Sequence, residues 1–317
     1  MSINNLEIRK FVESDYAHIV RLENNVFPDI EISEESLKFN DKSRSEKCKH
    51  QRYMMELEDE IIGHGFYNQW EGSYQPGKFF IYGAIHPAHQ EMGYGTEIYR
   101  YILDELANFE PVKLVCHTKE DKERAIKFIE DRGFKETMRM WELELDVNSF
   151  SFGEYEGLRE KLGKEGIVLT SLEELGIDEE NNRKLYELYE KVMKDVPMSD
   201  EYTGIEFQRF IEFFEHPYFI PEAYIIAVRD DEFIGLSNHW FLEEQNALSV
   251  GMTGVRKDYR GDGIATAMKV KAIEIASDKG ISTIKTENET GNEDMLHINE
   301  KLGFERKPAW INYEKTL

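Results

Sequence analysis

Long apolar runs are missing from this 317-residue chain. No stretch approaches the ~18 residues that a membrane-crossing helix needs. The opening residues, Met-Ser-Ile-Asn-Asn-Leu-Glu-Ile-Arg-Lys, carry no apolar core of a secretory signal, so a cytoplasmic location is expected. Cysteine is scarce too. Cys48 and Cys116 are the only two; they stand far apart, outside any CxxC or metal-ligand spacing. That excludes a disulfide framework and reads as two packing or surface thiols in a reducing compartment. Neither an HxxxH nor a Cys/His cluster occurs, so no metal is expected. Positive charge is short: 39 Lys and Arg face 63 Asp and Glu, a formal net charge of −24. Nucleic acid and anionic membranes would be repelled, and neither is expected as a partner. A small cationic substrate would be drawn to such a surface, although acidity also serves solubility alone.

What remains is an ordinary globular composition, 40% hydrophobic and 32% charged, at a length natural for two domains of ~100–200 residues. The most informative stretch runs from Val255 to Ser277. A strand-like run leads into Arg260-Gly261-Asp262-Gly263-Ile264-Ala265-Thr266, and Ala267, Met268, Val270 and Ile273 then repeat at helical spacing. The pattern is strand, tight turn, helix. Glycines at 261 and 263 let the backbone approach a ligand, and the first amides of the helix have no intrahelical partner. Such a turn, at the positive end of a helix dipole, suits a phosphate.

The same order of elements occurs twice. Gln90 and Arg260 are 170 residues apart; so are Gly93 and Gly263, Gly95 and Ala265, Gly133 and Gly303, Phe134 and Phe304. The hairpin turns at Asp59 and Asp231 match at 172, so a two-residue difference lies in the loops that follow. The chain therefore reads as a tandem duplication of units large enough to fold alone. Gly153, Gly157 and Gly163 among charged residues mark a boundary composition. The expected division is an N-terminal domain over 1–147, a linker over 148–165, and a C-terminal domain over 166–317.

Arg260-x-x-Gly263-x-Ala265 after a strand, followed about forty residues later by Leu302-Gly303-Phe304, resembles the acetyl-CoA-binding core of the GNAT N-acetyltransferases. Gln90-x-x-Gly93-x-Gly95 with Gly133-Phe134 fits the same pattern, so the resemblance covers both units. Among tandem members the chain is similar to the two-domain group that includes mycothiol synthase. The resemblance implies an α/β (α+β) fold of two tandem GNAT domains, each a mixed central β-sheet flanked by helices. It implies acetyl-CoA as cosubstrate and direct attack of a neutral amine on the thioester, with a backbone N–H stabilising the oxyanion and a carboxylate, through water, taking the proton. The strand ending at Val255 would receive the pantetheine arm. Gly261, Asp262, Gly263, Ile264, Ala265 and Thr266 would hold the pyrophosphate, with Arg260 contacting the anion or bracing the turn. Asn288 and Asn292 would border the cofactor.

Family members often carry a tyrosine, as acid for the departing thiolate, five residues before the Phe of Gly-Phe. Here that position is Ile129 in the first unit and Asn299 in the second. Isoleucine donates nothing, whereas asparagine offers a hydrogen bond to sulfur or pantetheine. The expectation is therefore that the second unit is the working one and that the first is a degenerate copy. Gln90, Gly93, Gly95 and Thr96 would then form a second CoA site or serve structure alone. The base stays open among Asp200, Glu201, Glu243 and His239, each of which also reads as an ordinary solvent-facing or core residue. The acceptor is expected to be a primary amine of a small molecule; the alternative is a non-catalytic acyl-CoA-binding or regulatory protein. The residues do not specify an oligomeric state.

Overall fold

The computed structural model describes residues 5–30 and 32–317. They form two compact units: one runs to Thr137 and takes in Ile311–Leu317, and the other is Met138–Trp310.

In the first unit the chain runs β1 (Leu6–Lys10), α1 (Tyr16–Val26), α2 (Glu34–Lys42), β2 (His50–Leu57), β3 (Glu60–Asn68), β4 (Lys78–Ile85), α3 (Tyr94–Leu106), β5 (Lys113–Lys119) and α4 (Glu123–Glu130), then enters β6 (Lys135–Asp146). Antiparallel pairing joins β1, β2, β3 and β4, and β4 then pairs with β5 in parallel. The β2–β3 hairpin closes through Glu58 and Asp59, both left-handed at φ 51° and 67°. This is the paired positive-φ geometry that matches strand twist in a two-residue loop. Behind the sheet, Gly65 leaves room for α3, since a Cβ there would stand 2.8 Å from Ile98 and 2.9 Å from Ile102. Tyr53, Met55, Ile62, Phe79, Ile98, Ile102 and Leu114 fill the core, each worth ~1.5–3 kcal/mol in apolar burial.

The second unit repeats the plan. Here the chain runs α5 (Glu156–Lys164), β7 (Ile167–Ser171), α6 (Leu172–Leu175), α7 (Glu179–Met193), α8 (Phe207–Glu212), β8 (Ile225–Arg229), β9 (Glu232–Leu242), β10 (Ala247–Val255), α9 (Ile264–Asp278), β11 (Thr283–Glu289), α10 (Glu293–Lys301), β12 (Glu305–Arg306) and β13 (Trp310–Thr316). The sheet order is β7-β8-β9-β10-β11-β6, antiparallel except for the parallel β10–β11 pair. The β8–β9 hairpin reproduces the first one, with Asp230 and Asp231 at φ 50° and 66°.

The units trade last strands. From Met140 to Asp146, β6 is paired with β11 of the second unit, and Leu143 and Leu145 join that unit's core. Strand β13 lies beside β5, and Ile311 and Tyr313 are buried in the first unit's core. The division therefore falls about ten residues before the expected one, and the C-terminal seven residues return to the first unit. Residues 148–165 are likewise no bare linker: Leu158 and Leu162 of α5 pack on Ile264, Ala267 and Met268. Hydrophobic alternation marks β6 and β13 as strands but carries no information on which neighbour each will pair with.

Candidate functional site

Each unit has a parting in its sheet. In the first, β4 and β5 stay paired only from Lys78↔Lys113 to Phe80↔Val115. His86 donates its N–H to Ile62 on the β3 side, so by alternation the N–H groups of Gly83 and Ile85, beyond the last pair, face the parting. Gly93 (φ 93°) then caps α3, and no atom stands within 4 Å of the space beside it. The amides of Tyr94 and Gly95 at the start of α3 suit an anion, while that of Thr96 already donates to the carbonyl of Gly93 at 2.9 Å. Gln90 braces this turn by donating from Nε2 to the carbonyl of Ile85 at 3.0 Å.

A cleft of about 680 Å³ opens here, lined by Gln90, Gly93, Gly95 and Thr96 at one end and by Phe27, Tyr82 and His117 at the other. Behind Tyr82 lies a buried acid. Glu23 on α1 accepts from Tyr82 Oη at 2.8 Å and lies 2.5 Å from His64 Nε2. Burial alone would raise the Glu23 carboxyl. His64, the Tyr82 hydroxyl and the charge of Arg52 outweigh it and hold the group below its usual range. Tyr82 is pushed well above 10 by burial and by Glu23. Burial lowers His117 to about 4, so its imidazole is neutral at pH 7. Burial also raises the Cys116 thiol, another lining residue, to about 12.

In the second unit the corresponding parting follows Ser249↔Lys285, and Gly263 (φ 89°) caps α9. Gly261 is left-handed too, at φ 92°. Arg260 donates from Nε to the carbonyl of Val255 at 2.9 Å and pairs with Asp195 at 2.5 Å. It thus braces the turn as Gln90 does. This turn is closely approached at Gly263, although Gly261 and Asp262 stay exposed. Leu158 Cδ1 stands 3.0 Å from where a Cβ on Gly263 would be, and Lys161 Nζ donates to the carbonyl of Asp262 at 3.4 Å. Ile264 is buried, while Ala265 and Thr266 are half-buried.

Asn299 is fully buried and donates to Asn288 Oδ1 at 2.5 Å. Its own Oδ1 has no hydrogen-bond partner. Asn292 caps α10, accepting from Met295 N at 3.4 Å. The base candidates do not converge. His239 is a core residue, 1% exposed, donating from Nδ1 to the carbonyl of Ala223 at 2.8 Å, and burial lowers it to about 4. Asp200 and Glu201 lie between α7 and α8, and Glu243 is exposed in the β9–β10 turn. The sequence reading did not single out Glu23, His64, Tyr82 or His117. Glu23 and Tyr82 are 59 residues apart, and no local pattern joins them. Among the described residues no group of three His, Cys, Asp or Glu side chains is placed to hold a metal ion. Nor is any helix among them long and apolar enough to cross a membrane.

A split sheet with a glycine-capped helix at its mouth, present twice, is the architecture of an acyl-CoA-dependent transferase. The acetyltransferase (GNAT) family profile matches residues 16–134 and again 182–304, and the chain belongs to that family. It is an acetyl-CoA-dependent N-acetyltransferase with two such regions in tandem, which sets aside the non-catalytic alternative. N-alpha-acetyltransferase 30 of Schizosaccharomyces pombe is 27% identical over 136 residues, 42% of this chain and 85% of that protein. A GCN5-related N-acetyltransferase from Sphaerobacter thermophilus superposes with a TM-score of 0.73 at 17% identity, covering 99% of this chain and 96% of its own. A tandem GNAT protein from the clavulanic acid biosynthesis pathway gives 0.74 at 13% identity, covering 98% of each chain. At these identities the two structures establish the fold.

Proposed function

We propose that the N-terminal unit binds acetyl-CoA and transfers the acetyl group to a primary amine at the Tyr82 end of its cleft. The observation that carries this is the contrast between the two turns: Gly93 opens onto a 680 Å³ cleft, whereas Leu158 lies over Gly263. The amides of Tyr94 and Gly95 receive the pyrophosphate, and the pantetheine runs along Ile81 to Ile85. A backbone N–H facing the parting, that of Gly83 among them, stabilises the oxyanion. The free amine forms the C–N bond, the C–S bond breaks, and the amine's proton passes by way of the Tyr82 hydroxyl or water to Glu23. The thiolate is a good leaving group with a pKa like that of cysteine, so Ile129 is no obstacle. This reverses the roles expected of the two units. A second reading of the acceptor, an α-amine, is favoured by the resemblance to a protein named for N-alpha acetylation.

The test is turnover of an amine panel that includes dipeptides, measured for Gly93→Asp and Thr266→Asp, with melting curves to confirm folding. Aspartate tolerates the left-handed backbone at 93 and sets a negative charge against the phosphates. Loss of acetyl-CoA binding in Gly93→Asp alone is expected. Loss in Thr266→Asp alone would return the activity to the second unit.

A further inference from the structure

Arg132 follows α4 and reaches back across the cleft. Its guanidinium lies over the Phe128 ring, 3.3 Å from the centroid, and 5.3 Å from that of Tyr99. Nη1 donates to the carbonyl of Phe128 at 2.8 Å, and Nη2 donates to Thr96 Oγ1 at 2.7 Å. Thr96 belongs to the first turn of α3, so the positive charge stands against the anion-binding turn. A guanidinium carries five N–H donors; these two bonds leave others available, and Arg132 lines the cleft. In a chain of net charge −24, none of the ion pairs among the described residues engages Arg132, although its neighbour Asp131 pairs with Lys127. By contrast Arg124, on the same rim, is paired with Glu91. A half-buried arginine without a carboxylate, braced by an aromatic face and a threonine, is prepared for an anion.

The duplicate supplies an internal control. Phe128, Thr96 and Tyr99 correspond, 170 residues on, to Ile298, Thr266 and Lys269, and Arg132 corresponds to Leu302. The threonine is kept and the guanidinium is not. Leu302 is 3% exposed and belongs to the core of its unit, where it faces no ligand. A guanidinium at this position is therefore present in the first unit and absent from the second, where Lys269, at the position of Tyr99, is buried over the Phe304 ring.

We propose that Arg132 is a phosphate-binding residue that engages the diphosphate of acetyl-CoA and supplies much of the N-terminal unit's affinity for the cosubstrate. The proposal rests on the reading that this unit holds acetyl-CoA. Because Nη2 is bonded to Thr96 at the start of α3, the contact falls on the diphosphate and not on the 3′-phosphate.

The experiment compares Arg132→Leu and Arg132→Lys with the wild-type full chain on three acyl donors: acetyl-CoA, acetyl-3′-dephospho-CoA and acetylpantetheine. A charge-assisted hydrogen bond to phosphate corresponds to at least about tenfold in affinity. Arg132→Leu is expected to raise KM at least about tenfold for both nucleotide donors, with kcat unchanged. Acetylpantetheine, which has no diphosphate, should react equally well with variant and wild type, and Arg132→Lys should recover part of the affinity. An effect confined to acetyl-CoA would move the contact to the 3′-phosphate and overturn the proposal. An equal loss with acetylpantetheine would make Arg132 structural, and that also overturns it. If Gly93→Asp raises KM and Arg132→Leu does not, the proposal fails while the N-terminal reading stands. If Gly93→Asp changes nothing, the reading itself is wrong.

Discussion

The Tyr82 hydroxyl donates to Glu23 Oε2 at 2.8 Å, which ties the strand that would carry the acetyl group to an acid buried on α1. In the proposed reaction the bond would give the amine's proton a short path out of the cleft. A positioned base contributes about 10²–10⁴-fold to such a step. Glu23→Gln should therefore lower kcat at least about 100-fold and Tyr82→Phe by a smaller factor, with KM for acetyl-CoA within twofold of wild type. A Glu23→Gln variant with wild-type kcat would remove Glu23 from the proton path.

The cleft groups are already in their reactive states at neutral pH. Glu23 is held below the usual carboxylate range and His117 is lowered to about 4, so neither titrates between pH 6 and 8. The acceptor amine must lose a proton there. The acid limb of kcat/KM should move down in step with the pKa when a less basic amine is supplied. A limb fixed near the ordinary histidine value for every amine would show that an enzyme group sets it.

Acidification should weaken the fold through its buried imidazoles. His117 and His239 both have folded values near 4 against an unfolded value of about 6.5. Between those limits the unfolded chain binds protons that the native chain does not, so stability falls as pH drops from about 6.5 to 4. Glu23, with its lowered value, acts in the same direction at the acid end. The urea midpoint should be lower at pH 5 than at pH 7, and His239→Gln should flatten that dependence. Equal midpoints for the wild type would contradict the burial of these rings.

Transfer should proceed without an acetyl-enzyme intermediate. Cys116 lines the cleft, but burial raises its thiol to about 12, and the thiol is a poor nucleophile until ionised. Cys116→Ala should retain turnover within about threefold, with intersecting double-reciprocal plots for the two substrates. Parallel plots together with a dead Cys116→Ala variant would establish a covalent route.

The last seven residues should support the first unit and not the second. Ile311 and Tyr313 are each 1% exposed in the first unit's core, Lys113 pairs with Glu314 at 3.1 Å, and the amide of Leu317 donates to the carbonyl of Val112. Ile311→Ala should cost about 2–5 kcal/mol. Deleting residues 311–317 should speed amide hydrogen exchange in β5 while α7 keeps its protection. Faster exchange in α7 alone would show that β13 belongs elsewhere.

The sequence by itself determined the duplication, the family and the two turns. Those features are local: glycines at fixed offsets, a strand before and a helix after, and two acidic hairpin turns 172 residues apart. It also carried one asymmetry, Ile129 against Asn299, which pointed to the second unit. The tertiary structure decided what local pattern cannot encode. Asn299 is spent on Asn288 inside the core, Leu158 from a stretch read as linker lies on the second turn, and Glu23, Tyr82 and His117 meet from separate elements. The exchange of β6 and β13 belongs to the same class. A strand's alternation fixes which faces are apolar, but the edge it joins depends on pairing energies summed over distant parts of the chain. Which turn stands open was therefore settled by packing between residues more than a hundred positions apart, as with Leu158 and Gly263.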